Sequence, residues 1–296
     1  MNVVYLNSLF NPKYSILPQL MTRLGLWRKA TLLVAPRGEL DPGALRLKLH
    51  KKRLFLKLYR KLGLSNSVLW HASTEEEADH IRAVFGVESQ IVVRENETSL
   101  PLEAHRRAAR APGIPRLLFA SRLSPKKGLL TLLEALAMVS TPTQVEIIGE
   151  FDDDKYEARC RDAAQRLPEI ISVDFLGALN RERVLLHMRK ADVMALPTAG
   201  ENFGHVIAEA MSESCPVMCS AHTPWTARLS SGGGAVVSPD TPEAWATALR
   251  EFLAKDPRAL HRSSEKVGAV YDTWRNEEKG IHVFQLARDI QRALRV

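Results

Sequence analysis

Val193-Met-Ala-Leu-Pro-Thr-Ala-Gly-Glu-Asn-Phe-Gly-His-Val-Ile-Ala-Glu-Ala-Met211 runs from a short apolar segment, through a loop carrying Gly200 and Gly204, into a helical pattern. That order, strand then glycine-bearing loop then helix, is half of a βα unit. The helix is predicted to open at Gly204 or His205. Backbone N–H groups at Phe203, Gly204 and His205 then stand at its positive end and suit an anion, for which phosphate is the natural candidate. The two glycines let the backbone approach such a ligand closely. Asn202 lies in the same loop. Glu201 is placed to accept hydrogen bonds from sugar hydroxyls, and Glu209, one turn inside the helix, to hold a second polyol such as ribose. By themselves these residues fit equally an ordinary loop–helix junction, with Glu201 complementing the helix dipole and Glu209 on a solvated face.

The pattern repeats on either side. Phe119-Ala-Ser-Arg-Leu-Ser-Pro-Lys-Lys-Gly128 is again a strand leading through a loop to a helix, and it places Arg122 and Lys127 at a strand's C-terminal end, where a diphosphate needs cations. Strands are predicted at 116–121, 144–149, 172–176, 193–197, 216–220 and 235–237 with helices between them, a six-strand doubly wound unit with its ligands at the strands' C-terminal ends. Thr241 before Pro242 reads as a helix N-cap. Residues 258–296 read as helical, with the last helix (276–296) packing back toward the first domain.

Upstream, strands are predicted at 2–6, 30–35, 67–71 and 90–94, with helices at 14–24, 45–62 and 75–85. The last opens on the capping-box spacings Ser73-x-x-Glu76 and Thr74-x-x-Glu77. Residues 99–115, rich in Ala, Arg and Pro without apolar periodicity, read as a linker. The division is therefore 1–98, linker 99–115, and 116–275, and the first unit is short and begins directly on a buried-type strand.

With 296 residues, 45% of them hydrophobic and 25% charged, the chain has the composition of a globular protein of about two domains. No apolar run reaches the roughly 20 residues of a membrane helix and the start lacks a signal-peptide pattern, so a cytoplasmic location is expected. Cys160, Cys215 and Cys219 show neither metal-ligand spacing nor a disulfide framework. The net charge is +7, but residues 1–110 carry +8 and the remainder −1. Most of the excess falls from Arg46 to Lys61, where Lys48, Lys51, Lys52, Arg53, Lys57 and Arg60 also occur without an acid. A helix there places Leu47, Leu54, Phe55, Leu58, Tyr59 and Leu62 on a stripe, which either turns into the domain and leaves the cations solvated or rests on an anionic lipid surface. Nucleic acid fits poorly, since the segment lacks interleaved aromatics.

The two βα loops together resemble the nucleotide-sugar glycosyltransferases of the GT-B fold, specifically the retaining family 4 within glycosyl transferases group 1. Glu201 and Glu209 match that family's E-x7-E motif, and Arg122 and Lys127 its Arg-x4-Lys pattern. Phe175-Leu-Gly177, Ala191-Asp-Val193, Leu196-Pro197, Pro216-Val217 and Thr223-Pro-Trp225 extend the match over 117–237. The first domain resembles the family more thinly, through Leu6-Asn-Ser-Leu-Phe10, Pro36-Arg-Gly-Glu-Leu40 and His71-Ala-Ser-Thr-Glu75.

The resemblance implies two Rossmann-like α/β domains, the N-terminal one incomplete because the family's early strands and Gly-rich loop are not matched. It implies transfer of a sugar from a UDP- or GDP-linked donor, with retention, to a saccharide or lipid-linked acceptor in polysaccharide, lipopolysaccharide or glycolipid assembly. Glu201 then contacts the donor sugar, Glu209 the ribose, and Arg122 and Lys127 the diphosphate leaving group, so that no metal is required. Asn202, Phe203, Gly204 and His205 join the donor site, and the loop from Gly177 through Leu179 faces the base. Where relatives present a His at a first-domain strand end, this chain has Pro36-Arg37-Gly38, leaving Arg37 or Glu39 for the acceptor side. Ser212-Glu-Ser214 stands where the family has a small residue and Gly. The competing class is a homologue that keeps the fold and binds nucleotide or a partner chain without transfer.

Two further motifs read weakly. Asp152-Asp-Asp154 has the look of a metal-binding D-x-D but sits at a predicted helix start, where acids complement the dipole. Gly232-Gly-Gly234 precedes a strand pattern and is no dinucleotide fingerprint.

Overall fold

The computed structural model describes residues 2–26, 30–46, 49–277 and 280–293. It contains two compact units, Met1–Thr98 with Glu278–Val296, and Ser99–Glu277.

In the first unit, β1 (Asn2–Leu6), β2 (Ala30–Val34), β3 (Val68–Ala72) and β4 (Ile91–Val93) form a parallel sheet in sequential order. Their helices are α1 (Leu17–Arg23), α2 (Pro42–Arg46), α3 (Leu49–Lys61) and α4 (Glu75–Phe85). Thr74 caps α4 by accepting from the Glu77 amide at 3.1 Å. Alternate strand residues serve two cores, as the pleat requires. Leu32, Val34, Val68 and Trp70 pack with Leu56, Tyr59 and Ile81 on one face, while Leu33, Leu69 and Val92 pack with Val283 and Ala287 on the other.

Two expectations in this unit are corrected. The helix predicted over 45–62 begins earlier: Asp41 accepts from the Gly43 and Ala44 amides at 2.7 and 3.1 Å, so α2 starts at Pro42, and α3 runs from Leu49 to Lys61. Leu47, Lys48 and the side chain of Arg46 lie outside the described residues. The apolar stripe of α3 also divides. Phe55 and Tyr59 turn inward together with Leu56, a position outside the predicted stripe, whereas Leu54, Leu58 and Leu62 are 60%, 49% and 49% exposed. Both sets are helically spaced, and the packing of Tyr59 against Trp70 and Phe85 selects the inward one.

The second unit is a parallel sheet of β5 (Arg116–Ala120), β6 (Thr143–Ile148), β7 (Ile171–Gly177), β8 (Val193–Leu196), β9 (Val217–Ser220) and β10 (Ala235–Val237). Its helices are α5 (Leu129–Leu136), α6 (Asp154–Gln165), α7 (Arg181–Lys190), α8 (His205–Ser212), α9 (Thr226–Ser231), α10 (Pro242–Leu253) and α11 (Pro257–Asn276). The order β10-β9-β8-β5-β6-β7 reverses direction between β5 and β8, which places the topological switch point at their C-terminal ends. Residues 99–115, read above as a linker, are held on this unit. The His105 amide donates to the Ser212 carbonyl at 2.7 Å, Arg107 donates to the Ala191 and Ser214 carbonyls, and Arg110 pairs with Asp192 at 3.2 Å. Ser214 itself adopts φ 51°, a left-handed conformation that favours glycine.

The chain then closes on the first unit with α12 (Val283–Ala293), which supplies Val283 and Ala287 to the second core face there. Arg94 after β4 fixes the approach by donating to the Gly280 and Ile281 carbonyls at 3.0 and 2.7 Å.

Candidate active site

The loops after β5, β8 and β9 meet at the switch point. After β5 a tight turn over Pro125–Lys127 ends on Gly128, whose φ is 74°. A Cβ built there would lie 1.8 Å from the Pro197 carbonyl oxygen, so only glycine lets this loop seat against the end of β8. The Ala199 amide donates to the Lys126 carbonyl at 2.8 Å, and the Glu201 amide to the His222 carbonyl at 3.0 Å. Beneath them the Ser220 hydroxyl donates to the Thr198 carbonyl.

This lacing brings Lys127 and Glu201, 74 positions apart in sequence, to 2.5 Å between Nζ and Oε1. Their side chains are only 16% and 9% exposed, so the pair is largely removed from water and its charges act strongly on anything bound beside them. Glu209 is not part of that pair. Its Oε1 accepts from Arg181 Nε at 2.9 Å, a partner that sequence spacing did not indicate, because α7 and α8 meet only in the fold. Arg122 stands apart from both, 78% exposed and loosely paired with Asp152 at 3.8 Å.

Helix α8 opens as expected at His205, with Gly204, left-handed at φ 78°, as its N-cap residue. A Cβ at Gly204 would come within 3.2 Å of Ile207 and Trp225, so this glycine answers a close packing as well as a φ requirement. Phe203 is buried at 4% exposure, its ring against those of Trp225 and Trp274 and its carbonyl accepting from the Trp225 indole. Only its backbone therefore remains for a ligand. Asn202 is half-buried in the loop and His205 is exposed.

Beside these loops, Leu123, Gly149, Phe151, Phe175 and Gly177 line a cleft of about 540 Å³ at the ends of β5, β6 and β7. Its size lies within the range of small-ligand pockets. The Arg161 guanidinium lies over the Phe175 ring at 4.8 Å. Gly177 has φ 67° with nothing within 4 Å of a built Cβ, and Leu179 is half-buried against the core. Phe151 and Arg161 carry no local motif and went unmarked in the sequence, where Phe175 was marked only as part of Phe175-Leu-Gly177.

The aspartates of Asp152-Asp-Asp154 are engaged separately. Asp153 caps α6 by accepting from the Tyr156 amide at 2.8 Å, Asp154 lies in the first turn, and Asp152 faces Arg122. The three cysteines are buried, and burial pushes the Cys215 thiol up to about 12 and those of Cys160 and Cys219 to about 11.

In the first unit, Arg37 and Glu39 are built into a polar cluster at the strand ends. Glu39 accepts from the Ser8 hydroxyl at 2.8 Å and the Leu9 amide at 2.5 Å, holding the loop after β1. Arg37, at φ 56°, donates from Nε to Asn7 at 2.6 Å and from Nη2 to the Tyr5 hydroxyl at 2.5 Å. The Tyr5 hydroxyl in turn lies 2.7 Å from His71 Nδ1, and His71 Nε2 is 2.8 Å from the Arg94 carbonyl. A carbonyl only accepts, so Nε2 carries the imidazole proton, Nδ1 accepts from Tyr5, and the chain of donors runs from Arg37 to Arg94 in one direction. Burial is the main cause that lowers the His71 pKa and raises that of Tyr5.

Residues 102–267 match the family described as glycosyl transferases group 1. Among curated proteins the chain is similar to the D-inositol 3-phosphate glycosyltransferase of Corynebacterium urealyticum, with 31% identity over 222 residues, 70% of this chain and 52% of that protein. It is also similar to the phosphatidyl-myo-inositol mannosyltransferase of Mycobacterium tuberculosis, with 35% identity over 156 residues, 49% of this chain and 40% of that one. The chain thus spans about half the length of the curated relatives it matches. Among solved structures, Anabaena Alr3699/HepE in complex with UDP and glucose superposes with a TM-score of 0.73 at 17% identity over 99% of this chain and 77% of that one. Sucrose-phosphate synthase from Thermosynechococcus elongatus gives 0.72 at 20% identity, over 99% and 73%. At these identities the structural likeness speaks for the fold, which is GT-B-like with two Rossmann-like domains.

Proposed function

The chain belongs to the glycosyl transferases group 1 family, and from that premise we propose that it transfers a sugar from a nucleoside-diphosphate donor, with retention, to a saccharide or lipid-linked acceptor in cell-surface polysaccharide or glycolipid assembly. The observation that carries this reading is the buried Lys127–Glu201 pair at the switch point, beside the N-terminus of α8, whose N-cap residue is Gly204.

In this reading the diphosphate lies against the first turn of α8 and within reach of Lys127. As the bond from the anomeric carbon to the diphosphate oxygen breaks, negative charge grows on the leaving group, and Lys127 stabilises it where water is largely excluded. Arg122, exposed at the end of β5, adds a second cation. Glu201 holds the donor sugar's hydroxyls and is itself oriented by Lys127. Glu209, oriented by Arg181, accepts from the ribose, and the cleft beside Gly177 takes the base. The curated relatives named above act on inositol phosphate and phosphatidylinositol acceptors by their names, which supports a polyol or lipid-linked acceptor here.

The test is release of nucleoside diphosphate from a panel of UDP- and GDP-sugars offered with saccharide and lipid-linked acceptors. Turnover that falls about a hundredfold or more in Lys127→Ala, the scale for losing one transition-state charge contact, is expected. The product's anomeric configuration, read by NMR, should equal the donor's. Nucleotide binding without release under any acceptor would favour the non-transferring homologue instead.

A further inference from the structure

Half of the large apolar side chains that stand exposed among the described residues fall between Tyr14 and Leu62: Tyr14, Leu17, Leu20, Leu24, Leu26, Leu54, Leu58 and Leu62. Scattered exposed leucines need no explanation, but these follow helical spacing on two elements. On α1 and its C-cap, Leu17, Leu20 and Leu24 recur at i, i+3 and i+7. On α3 and its end, Leu54, Leu58 and Leu62 recur at i, i+4 and i+8. The two helices adjoin through their inward faces, where the Tyr59 hydroxyl donates to Gln19.

Cations frame both ridges. Lys13 and Arg23 are exposed around α1, and Lys51, Arg53, Lys57, Arg60 and Lys61 along α3, while neither helix contains an acid. Among the described residues no acid pairs with Lys51, Lys57 or Lys61, and the leucine ridges face away from the core. Nucleic acid would leave the leucines unmatched, and no stacking aromatics are interleaved with the α3 cations. A lipid interface matches both at once, because its acyl boundary takes the leucines and its phosphate headgroups the lysines and arginines. No helix among the described residues is long and apolar enough to cross a membrane, so the contact is with the interface plane.

We propose that the outer faces of α1 and α3 form a docking surface for a bilayer rich in anionic phospholipid. This goes beyond the donor-site reading and does not depend on it, since it uses other residues and another unit.

The experiment is co-sedimentation of the whole chain with vesicles of phosphatidylcholine, with and without phosphatidylglycerol, at low and high salt. Two triple variants accompany it, Lys51→Gln/Lys57→Gln/Lys61→Gln and Leu54→Ser/Leu58→Ser/Leu62→Ser, with thermal unfolding to show that each folds. Every changed side chain is exposed or half-exposed, so both are expected to fold. Binding should require phosphatidylglycerol, weaken with salt, and fall at least about tenfold in each variant. A wild-type chain that ignores anionic vesicles, or variants that bind as the wild type does, would overturn the proposal. So would self-association without lipid that the leucine variant abolishes, which would assign the ridge to a second copy of the chain. Nucleoside-diphosphate binding, measured on the same preparations, should be unchanged in both variants, which separates failure here from failure at the donor site.

Discussion

Arg181 is the residue whose role most clearly comes from the fold. Its guanidinium fixes Glu209 from outside the loop that carries the E-x7-E motif, in a partly exposed pair. In the proposed donor site Arg181→Ala should therefore raise the donor KM several-fold, about 1 kcal/mol, and leave kcat nearly unchanged, because there Glu209 would bind ground and transition states alike. Steady-state kinetics decide this, and a lower KM would mean that Arg181 competes with the donor for Glu209. Ser214 offers a stability prediction at the same scale. A side chain held at φ 51° costs about 1–2 kcal/mol where glycine does not, so Ser214→Gly should stabilise the protein by about 1 kcal/mol in denaturant or thermal unfolding. The glutamates at 201 and 209 could be read from sequence because their spacing is local. Lys127 could be read only as a cation after a strand, and its partner, 74 positions away, only from the fold. Arg181 gave no signal, since nothing in its neighbourhood except the cap at Asn180 marks where α7 begins.

At the level of elements, the chain of hydrogen bonds through Tyr5 and His71 predicts a pH dependence. His71 is packed neutral, and burial holds its pKa below the usual 6.5. The unfolded chain therefore takes up a proton near 6.5 that the folded chain refuses. Stability from this group is whole above that pH and is lost as pH falls toward the depressed folded value. Between about pH 7.5 and about pH 5 the melting temperature should fall further in the wild type than in His71→Gln. An equal fall in both would show that His71 is protonated in place. Elements with strong end signals were legible. Thr74 and Thr241 cap the helices expected of them. The segment at 45–62 was not, because its apolar residues satisfy two helical stripes and only the aromatic packing of Tyr59 selects between them. The start of α2 was written in Asp41-Pro42, a cap signal that the longer periodicity obscured.

For the whole molecule, alternating strands and helices were enough to read two α/β units, since parallel sheets need a crossover after each strand. Strand order is a different matter. The reversal between β5 and β8 leaves no local mark, yet it gathers the loops after β5, β8 and β9 in one place and makes a candidate site of residues spread over about a hundred positions. The central claim is that this place binds a nucleoside diphosphate. Isothermal titration of the chain with UDP, GDP and ADP tests it most directly, alongside Glu209→Ala and Lys127→Ala. One nucleotide should bind, and each substitution should weaken it by about 1–3 kcal/mol, the range for a lost charge-assisted hydrogen bond. A folded chain that binds none of the three, or binding that neither substitution alters, would contradict the account.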